Sequence, residues 1–316
     1  MKTTARTFCL IVLVMLLSVP VMKAQPDKGH AHRYDPPWQE SKLEGESFIA
    51  YGINNAPDFH GDINNPDLVI FFAGNQYMVV PELLEAFRKQ YRQYKRVFAE
   101  TIPPGIEEKQ IEKGALILGD LRISLKPDII TAGKGSMEEK DKKGWFTHTE
   151  VYAKNKLAIM VRKGNPKGIK TLNDLGKDDV KVSMPNPEWE GIGDRITQAY
   201  ENAGGKDLRN TIMKVKKDKG TTYLTKIHHR ETPMRLMYEQ SDAGPVWYSE
   251  AYYHANLTDH PIDMVTIDDK VNVQATYVAG QMKDAPNPEA AKAFMDFLVS
   301  DKAQQLYKKY GFETVK

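Results

Sequence analysis

The segment Ile227-His-His-Arg-Glu-Thr-Pro233 sets two imidazoles and a guanidinium side by side, at His228, His229 and Arg230. Such a set could clamp an anion, or ligate a metal or metal–anion complex through the two histidines. Thr232 is a fair N-cap and Pro233 a fair first helical residue, so the cluster falls at a helix N-terminus. A solvated cap with Arg230 and Glu231 in water explains the same residues, and both readings stay open. His60 and Asp62, in Asp58-Phe-His-Gly-Asp62, could add ligands but suit a turn better; His30 and His32 lie in a polar tail. Enzyme chemistry has less support: there is no G-x-S-x-G, no P-loop, no H-E-x-x-H and no placed cysteine nucleophile. Lys214 to Lys219 is basic but includes Asp218 and lacks interleaved aromatics, so nucleic-acid binding is not expected.

Residues of this kind act only when elements hold them, and the chain is long enough for two cores. It has 316 residues, 44 Lys+Arg against 42 Asp+Glu, and one cysteine. Lys2 and Arg6 precede an apolar run from Phe8 to Met22, which ends at Lys23-Ala24-Gln25. This pattern predicts a secretory signal peptide, residues 1–24, cleaved after Ala24. Cleavage removes Lys2, Arg6 and Lys23 and no acidic residue, taking the formal charge from +2 to −1. It also removes Cys9, the single cysteine, which suits an oxidising, periplasmic compartment. Residues 25–47, polar and carrying Pro36-Pro37, read as a flexible leader.

Leu68-Val-Ile-Phe-Phe72 has no alternation, as expected of a strand buried on both faces. A short loop then leads to a helix predicted over Val79 to Tyr94, with Pro81 in its first turn. Further strands are predicted at Asp128–Ala132, Lys156–Val161, Val180–Ser183, Ala243–Trp247 and Val271–Ala279. Asn186-Pro187 is expected to open a helix that Gly204-Gly205 ends, and Pro233–Glu239 reads as another. Glu138–Lys143 reads as a solvated loop, and two helices finish the chain, after Asn287-Pro288 and after Ser300.

Five segments in this order carry a resemblance. They are Ile70–Gln76, Pro127–Ala132, Asn155–Gly164, Asp242–Ala251, and Asn287 through Ser300 to Phe312. Together they resemble the periplasmic solute-binding proteins of type II topology that serve ABC importers, closest to the molybdate-binding branch. The resemblance implies an α/β fold of two lobes with mixed sheets, a ligand cleft and two hinge crossings, near 154–162 and 271–279. Lobe 1 would hold residues 48–155 plus 273–316, and lobe 2 residues 156–272.

It also implies where a ligand sits: Gly74, Asn75 and Gln76, Thr131 and Gly133, Glu190 to Ile192 with Gly191, and Trp247, with His229 and Arg230 at the edge. Asn75, Gln76 and Thr131 could donate directly, and the glycines allow close backbone approach, although turn geometry alone explains Gly191 equally well. Helix N-termini would supply further donors. Five or six bonds of ~1.5–3 kcal/mol reach the ~8 kcal/mol of micromolar affinity without a cation. Two departures bear on the ligand: Trp247 stands where the branch has a binding tyrosine, and Asn75 where it has a serine. Tyr252-Tyr253 is comparable to the adjacent iron-ligating tyrosines of ferric-binding relatives, but neighbours on a helix do not face one way. The expectation is an exported, monomeric, non-enzymatic carrier without cofactor. It would take a molybdate- or tungstate-like anion to a membrane permease; a metal carrier using His228, His229, Tyr252 and Tyr253, or an exported enzyme on the same scaffold, are the alternatives.

Overall fold

Leu68–Phe71 is a strand with all four residues buried, because its sheet is covered on both faces. The structure, a computed structural model, describes residues 46–48, 59–118, 121–188, 190–226 and 231–315. The expected signal segment and nearly all of the expected leader lie outside these residues, as do His228, His229 and Arg230. Among the described residues, no helix is long and apolar enough to cross a membrane.

The chain opens with β1 (Glu46–Phe48), β2 (Phe59–Gly61) and β3 (Leu68–Phe71). A single 3-10 turn, Gly74–Gln76, leads to α1 (Val80–Gln90) and β4 (Val97–Glu100). There follow α2 (Pro104–Lys113), the paired β5 (Leu116–Leu118) and β6 (Leu121–Ile123), β7 (Ile129–Gly133), α3 (Lys134–Lys142) and β8 (Phe146–Asn155). The middle third holds β9 (Leu157–Arg162), β10 (Val182–Met184), α4 (Gly191–Asn210), the short α5 (Lys216–Asp218) and β11 (Thr222–Leu224). It continues with α6 (Glu231–Met237), β12 (Ala243–Trp247), α7 (Tyr248–Tyr252) and β13 (Ile262–Thr266). The chain closes with β14 (Ala275–Met282), α8 (Pro288–Leu298) and α9 (Asp301–Lys309).

Two mixed sheets result, ordered β1-β2-β4-β3-β7-β14-β8 and β11-β10-β12-β9-β13. In the first, β3 lies parallel to β4 and β7, while β14 runs antiparallel between β7 and β8. Phe87 of α1 meets Phe294 and Phe297 of α8 at 5.0 and 5.5 Å on one face of this sheet. Met137 of α3 joins Phe98, Phe146 and Ile130 in a separate cluster. Asp128, fully buried, accepts from the backbone N–H of Val69 and of Asn287, so one carboxylate ties β3, β7 and the start of α8. In the second sheet Ile196 and Tyr200 of α4 share a core with Val182 and Leu157, and Leu236 and Ala251 pack with Met160 in another. Each sheet therefore owns its cores, and the fold is two-lobed.

The chain crosses between the sheets twice: at Asn155–Leu157, and between Thr266 and Ala275. Asn272 joins the two crossings, accepting from Leu157 N–H at 2.9 Å and donating to Leu157 C=O at 2.9 Å.

Several element boundaries differ from the sequence reading, each for a local reason. Residues 271–274 are not strand, because Asn272 is spent on the crossing; β14 starts at Ala275 and continues to Met282. Asn186 bonds Glu188 N–H through its own side chain, making a turn, and the helix begins later, at Gly191. Gly204 and Gly205 leave helical geometry, but the chain resumes the helix at once, so the pair kinks α4 rather than ending it. The expected loop Glu138–Lys143 falls largely within α3, where Met137 is buried and Lys140 bonds Glu108 and Ser136; packing outweighs a weak pattern. The first helix stops at Gln90, although Tyr91 and Tyr94 still stack on Phe87. Thr232, the expected cap, lies inside α6, which is helical from Glu231, the first described residue after Lys226.

Glu107, in the first turn of α2, is buried, and its Oε1 has no partner among the described residues. Burial, then the like charge of Glu100, hold its pKa well above 4.5, and Lys140 offsets this only in part. The unfolded chain loses this proton near 4.5 while the folded chain keeps it, so the carboxyl destabilises the fold at neutral pH. Glu107→Gln is expected to be the more stable protein at neutral pH. Its advantage should shrink as pH falls through the folded pKa and vanish below the unfolded value. Urea titrations across this range check the sign, and a variant less stable than the parent at neutral pH contradicts it.

Candidate functional site

A cavity of about 140 Å³ lies where the two sheets' loops meet. The first sheet's side contributes Ala73, Gly74 and Asn75 from the turn after β3, Pro104 at the start of α2, and Gly133 at the end of β7. The second contributes Gly191, Ile192 and Arg195 from the first turns of α4, and Trp247 at the end of β12. Ala275 and Tyr277 of β14 complete the wall beside the crossing.

Strand ends that run into helix starts make such a wall rich in unpaired N–H groups. The cap positions Ala73, Gly133, Glu190 and Trp247 make no side-chain cap, whereas Ser300 accepts from Ala303 N–H at the start of α9. At α7 the first donors are already used, Tyr248 N–H on Lys156 C=O and Ser249 N–H on Asn155 Oδ1. The N–H groups of Gly74, Asn75, Gly191 and Ile192 have no partner among the described residues. A β-carbon on Gly191 would meet nothing within 4 Å, so no packing contact demands glycine there. Gly193 is different: its β-carbon would stand 2.6 Å from Pro187 Cα, so glycine lets the helix start close on the preceding turn.

Arg195 supplies a positive charge. It follows Gly191 by one helical turn, and its Nη1 donates to Gly191 C=O at 3.1 Å. The guanidinium carbon lies 5.8 Å from the centre of the Trp247 ring. Its Nη2 is 3.8 Å from where a β-carbon on Gly133 would be, so the cation reaches across to the opposite side. Tyr277 accepts from Asn75 Nδ2 at 2.5 Å. Burial raises the Tyr277 phenol pKa, against the hydrogen bonds from Asn75 and Asn155 and the charge of Arg195, so it remains a neutral donor. Among the described residues no carboxylate lines the cavity. N–H groups, a phenol, an indole and a guanidinium, without a facing acid, can hold an anion.

The structure brings together Gly74, Asn75, Gly133, Gly191, Ile192 and Trp247 of the expected residues. Gln76, Thr131 and Glu190 are not on the wall. Gln76 is fully buried behind it, donating to Tyr152 Oη and accepting from Tyr307 Oη at 3.0 Å. Thr131 Oγ1 accepts from Ala73 N–H at 2.9 Å and is hydrogen-bonded to Tyr152. Glu190 turns its carboxylate to Thr225 Oγ1. All three side chains are hydrogen-bonded within the protein and hold the loops behind the wall. Tyr252 stacks on Tyr248, while Tyr253 packs edge-on to Tyr77, so the two point to different surroundings. His60 is buried against Thr101, and Asp62 caps a turn at Asn64. Among the described residues no group of three or more His, Cys, Asp or Glu could hold a metal.

Arg195, Tyr277, Pro104 and Ala275 are the wall residues that sequence reasoning missed. Arg195 adds a cation to a wall that the sequence reading furnished with neutral donors, with Arg230 at its edge. Its signal was its spacing from Gly191, hidden by placing the helix start at Pro187.

Gln76→Leu is expected to cost about 1–3 kcal/mol in urea unfolding, the penalty of stranding a buried hydroxyl. Adding Tyr307→Phe should recover part of that loss. Strictly additive losses would show that the amide and the phenol do not act as a pair.

Residues 68–313 match the family described as "Bacterial extracellular solute-binding protein". A thiosulfate-binding protein of Pseudomonas aeruginosa is 50% identical over 52 residues, a match covering 16% of this chain and 15% of that protein's length. The sulfate-binding protein SubI from Mycobacterium tuberculosis H37Rv superposes with a TM-score of 0.63 at 18% identity, over 79% of this chain and 86% of the other. The periplasmic molybdate-binding protein of Azotobacter vinelandii does so at 0.63 and 16% identity, over 79% and 100%. At these identities the two structures speak to the fold.

Proposed function

The chain belongs to the bacterial extracellular solute-binding protein family, and from that premise we propose that it captures a small oxyanion for an ABC import system. The observation that carries this reading is the unpaired N–H groups of Gly74, Asn75, Gly191 and Ile192 around one cavity with Arg195. Half of these donors come from each side of the cleft. A ligand bonded to both sides favours the closed arrangement by its differential affinity, with the crossings at Asn155–Leu157 and before Ala275 as hinges.

In this reading residues 48–155 plus 273–316 move as one lobe against 156–272. The protein works outside the cytoplasm as a monomer, catalyses nothing, and hands its ligand to a membrane permease. Molybdate or tungstate is the first ligand to test, with sulfate and thiosulfate beside them, because relatives of this fold carry those names.

Thermal unfolding of the purified protein with each anion, and separately with iron(III) and zinc, separates the classes. A ligand at a hundred times its Kd should stabilise by ~2.7 kcal/mol. Stabilisation by metals and by none of the anions rejects the reading and returns attention to His228 and His229. Arg195→Gln should weaken the best anion roughly 10- to 150-fold, the equivalent of ~1.5–3 kcal/mol for a charged hydrogen bond. Calorimetric titration that finds unchanged affinity would remove Arg195 from the site.

A further inference from the structure

We infer that the ligand is an organic anion: an oxyanion head carrying a short carbon substituent. The inference rests on the anion-capture reading above and specifies the ligand class within it.

The donors cover only part of the wall. Most of the remainder is carbon, from Pro104, Ile192, Ala275, Ala73 and the ring of Trp247. A bare tetrahedral oxyanion presents oxygen in every direction, so some of its oxygens would lose water against carbon without gaining a bond. A ligand with one polar end has no such conflict. Its head takes the unpaired N–H groups and the guanidinium fork of Arg195, which matches a planar or bidentate pair of oxygens. Its carbon then lies against Ile192 and Trp247. A largely apolar wall with a few placed polar groups is the usual lining for organic ligands.

Size agrees. The cavity is about 140 Å³, close to the ~150 Å³ that accommodates one benzene. That is room for an anionic head with a small carbon substituent. Trp247 fits the same account: it offers a broad apolar face with one N–H, a wall suited to carbon.

The test is calorimetric titration of the purified chain within charge-matched sets: phosphate against methyl- and ethylphosphonate at a pH where all three are dianions, and methanesulfonate against ethanesulfonate, both monoanions, with sulfate and molybdate alongside. Each buried carbon should strengthen binding about fourfold, so ethylphosphonate should exceed phosphate about sixteenfold, or ethanesulfonate exceed methanesulfonate about fourfold. Ile192→Ser keeps the backbone N–H and removes the carbon surface. It should abolish most of that advantage, read as the ratio of the alkyl compound's affinity to the inorganic ion's within the same variant. If inorganic ions bind as tightly as their alkyl partners, or tighter, the organic-anion inference is overturned and anion capture stands. An equal loss for both partners in Ile192→Ser also overturns it. If nothing in the panel binds, anion capture itself fails.

Discussion

Every donor that the turn after β3 offers to the cavity depends on one buried amide behind it. Gln76 has no exposure, and an amide in that position must be paired on both sides or cost the fold its desolvation. It accepts from Tyr307 on α9 and donates to Tyr152 on β8; Tyr152 bonds Thr131 on β7, whose Oγ1 takes the N–H of Ala73. Burial holds both phenols neutral, so the chain of bonds carries no charge of its own. Three segments remote in sequence thereby fix a turn of three residues. With its polar demands met from behind, the turn leaves Gly74 and Asn75 N–H beside the cavity and without a partner among the described residues. The C-terminal helix is part of the site for this reason, although none of its residues touches the wall.

The second lobe contributes in another way. Its part of the wall is the start of α4 with Trp247 at the end of β12, and the charge comes from a side chain one turn along that helix. Gly193 lets that start close on Pro187. The two halves are mechanically joined near the same place. Asn155 ends β8, bonds Ser249 at the start of α7, and also reaches Tyr277, which Asn75 bonds. A change in the angle between the sheets therefore has to pass through groups that are within one or two bonds of the wall. Differential contact at the wall is the only lever a small ligand has on that angle, and this connectivity gives it a short arm.

The sequence was most legible where burial is two-sided. Leu68–Phe71 and Ala243–Trp247 are apolar without alternation and became central strands, and the two C-terminal helices announced themselves through Asn287-Pro288 and Ser300. Glycine-bearing loops at strand ends located most of the wall. Roles were harder to read. Gln76 and Thr131 have donors suited to a ligand, and only the tertiary fold shows them consumed by tyrosines far along the chain. Arg195 was hidden by a boundary: with the helix starting at Pro187, its position in the first turns is lost. Tyr277 sits in an alternating strand like any core aromatic, and only the pairing of β14 beside β7 brings it opposite Gly133. Short-range patterns report local structure, and these assignments are long-range.

A nearly neutral protein can hold an anion because the relevant field is local. The full chain carries a formal +2, and charges on its surface are screened beyond ~8 Å at physiological salt. Many of its lysines and arginines are paired at the surface, as Lys309 is with Glu82 and Lys163 with Asp263, where such pairs contribute little. Arg195 differs in having no ion pair among the described residues and in facing a wall without carboxylates. Its guanidinium is instead held by a carbonyl and an aromatic ring, neither of which neutralises it. Adding surface charge would change how fast anions arrive more than how they are held. In the proposed reading, holding depends on Arg195, which has no ion pair among the described residues, and on a few N–H groups on loops fixed by bonds made elsewhere. Discrimination between anions then falls to the shape and chemistry of the rest of the wall, and that wall is mostly carbon.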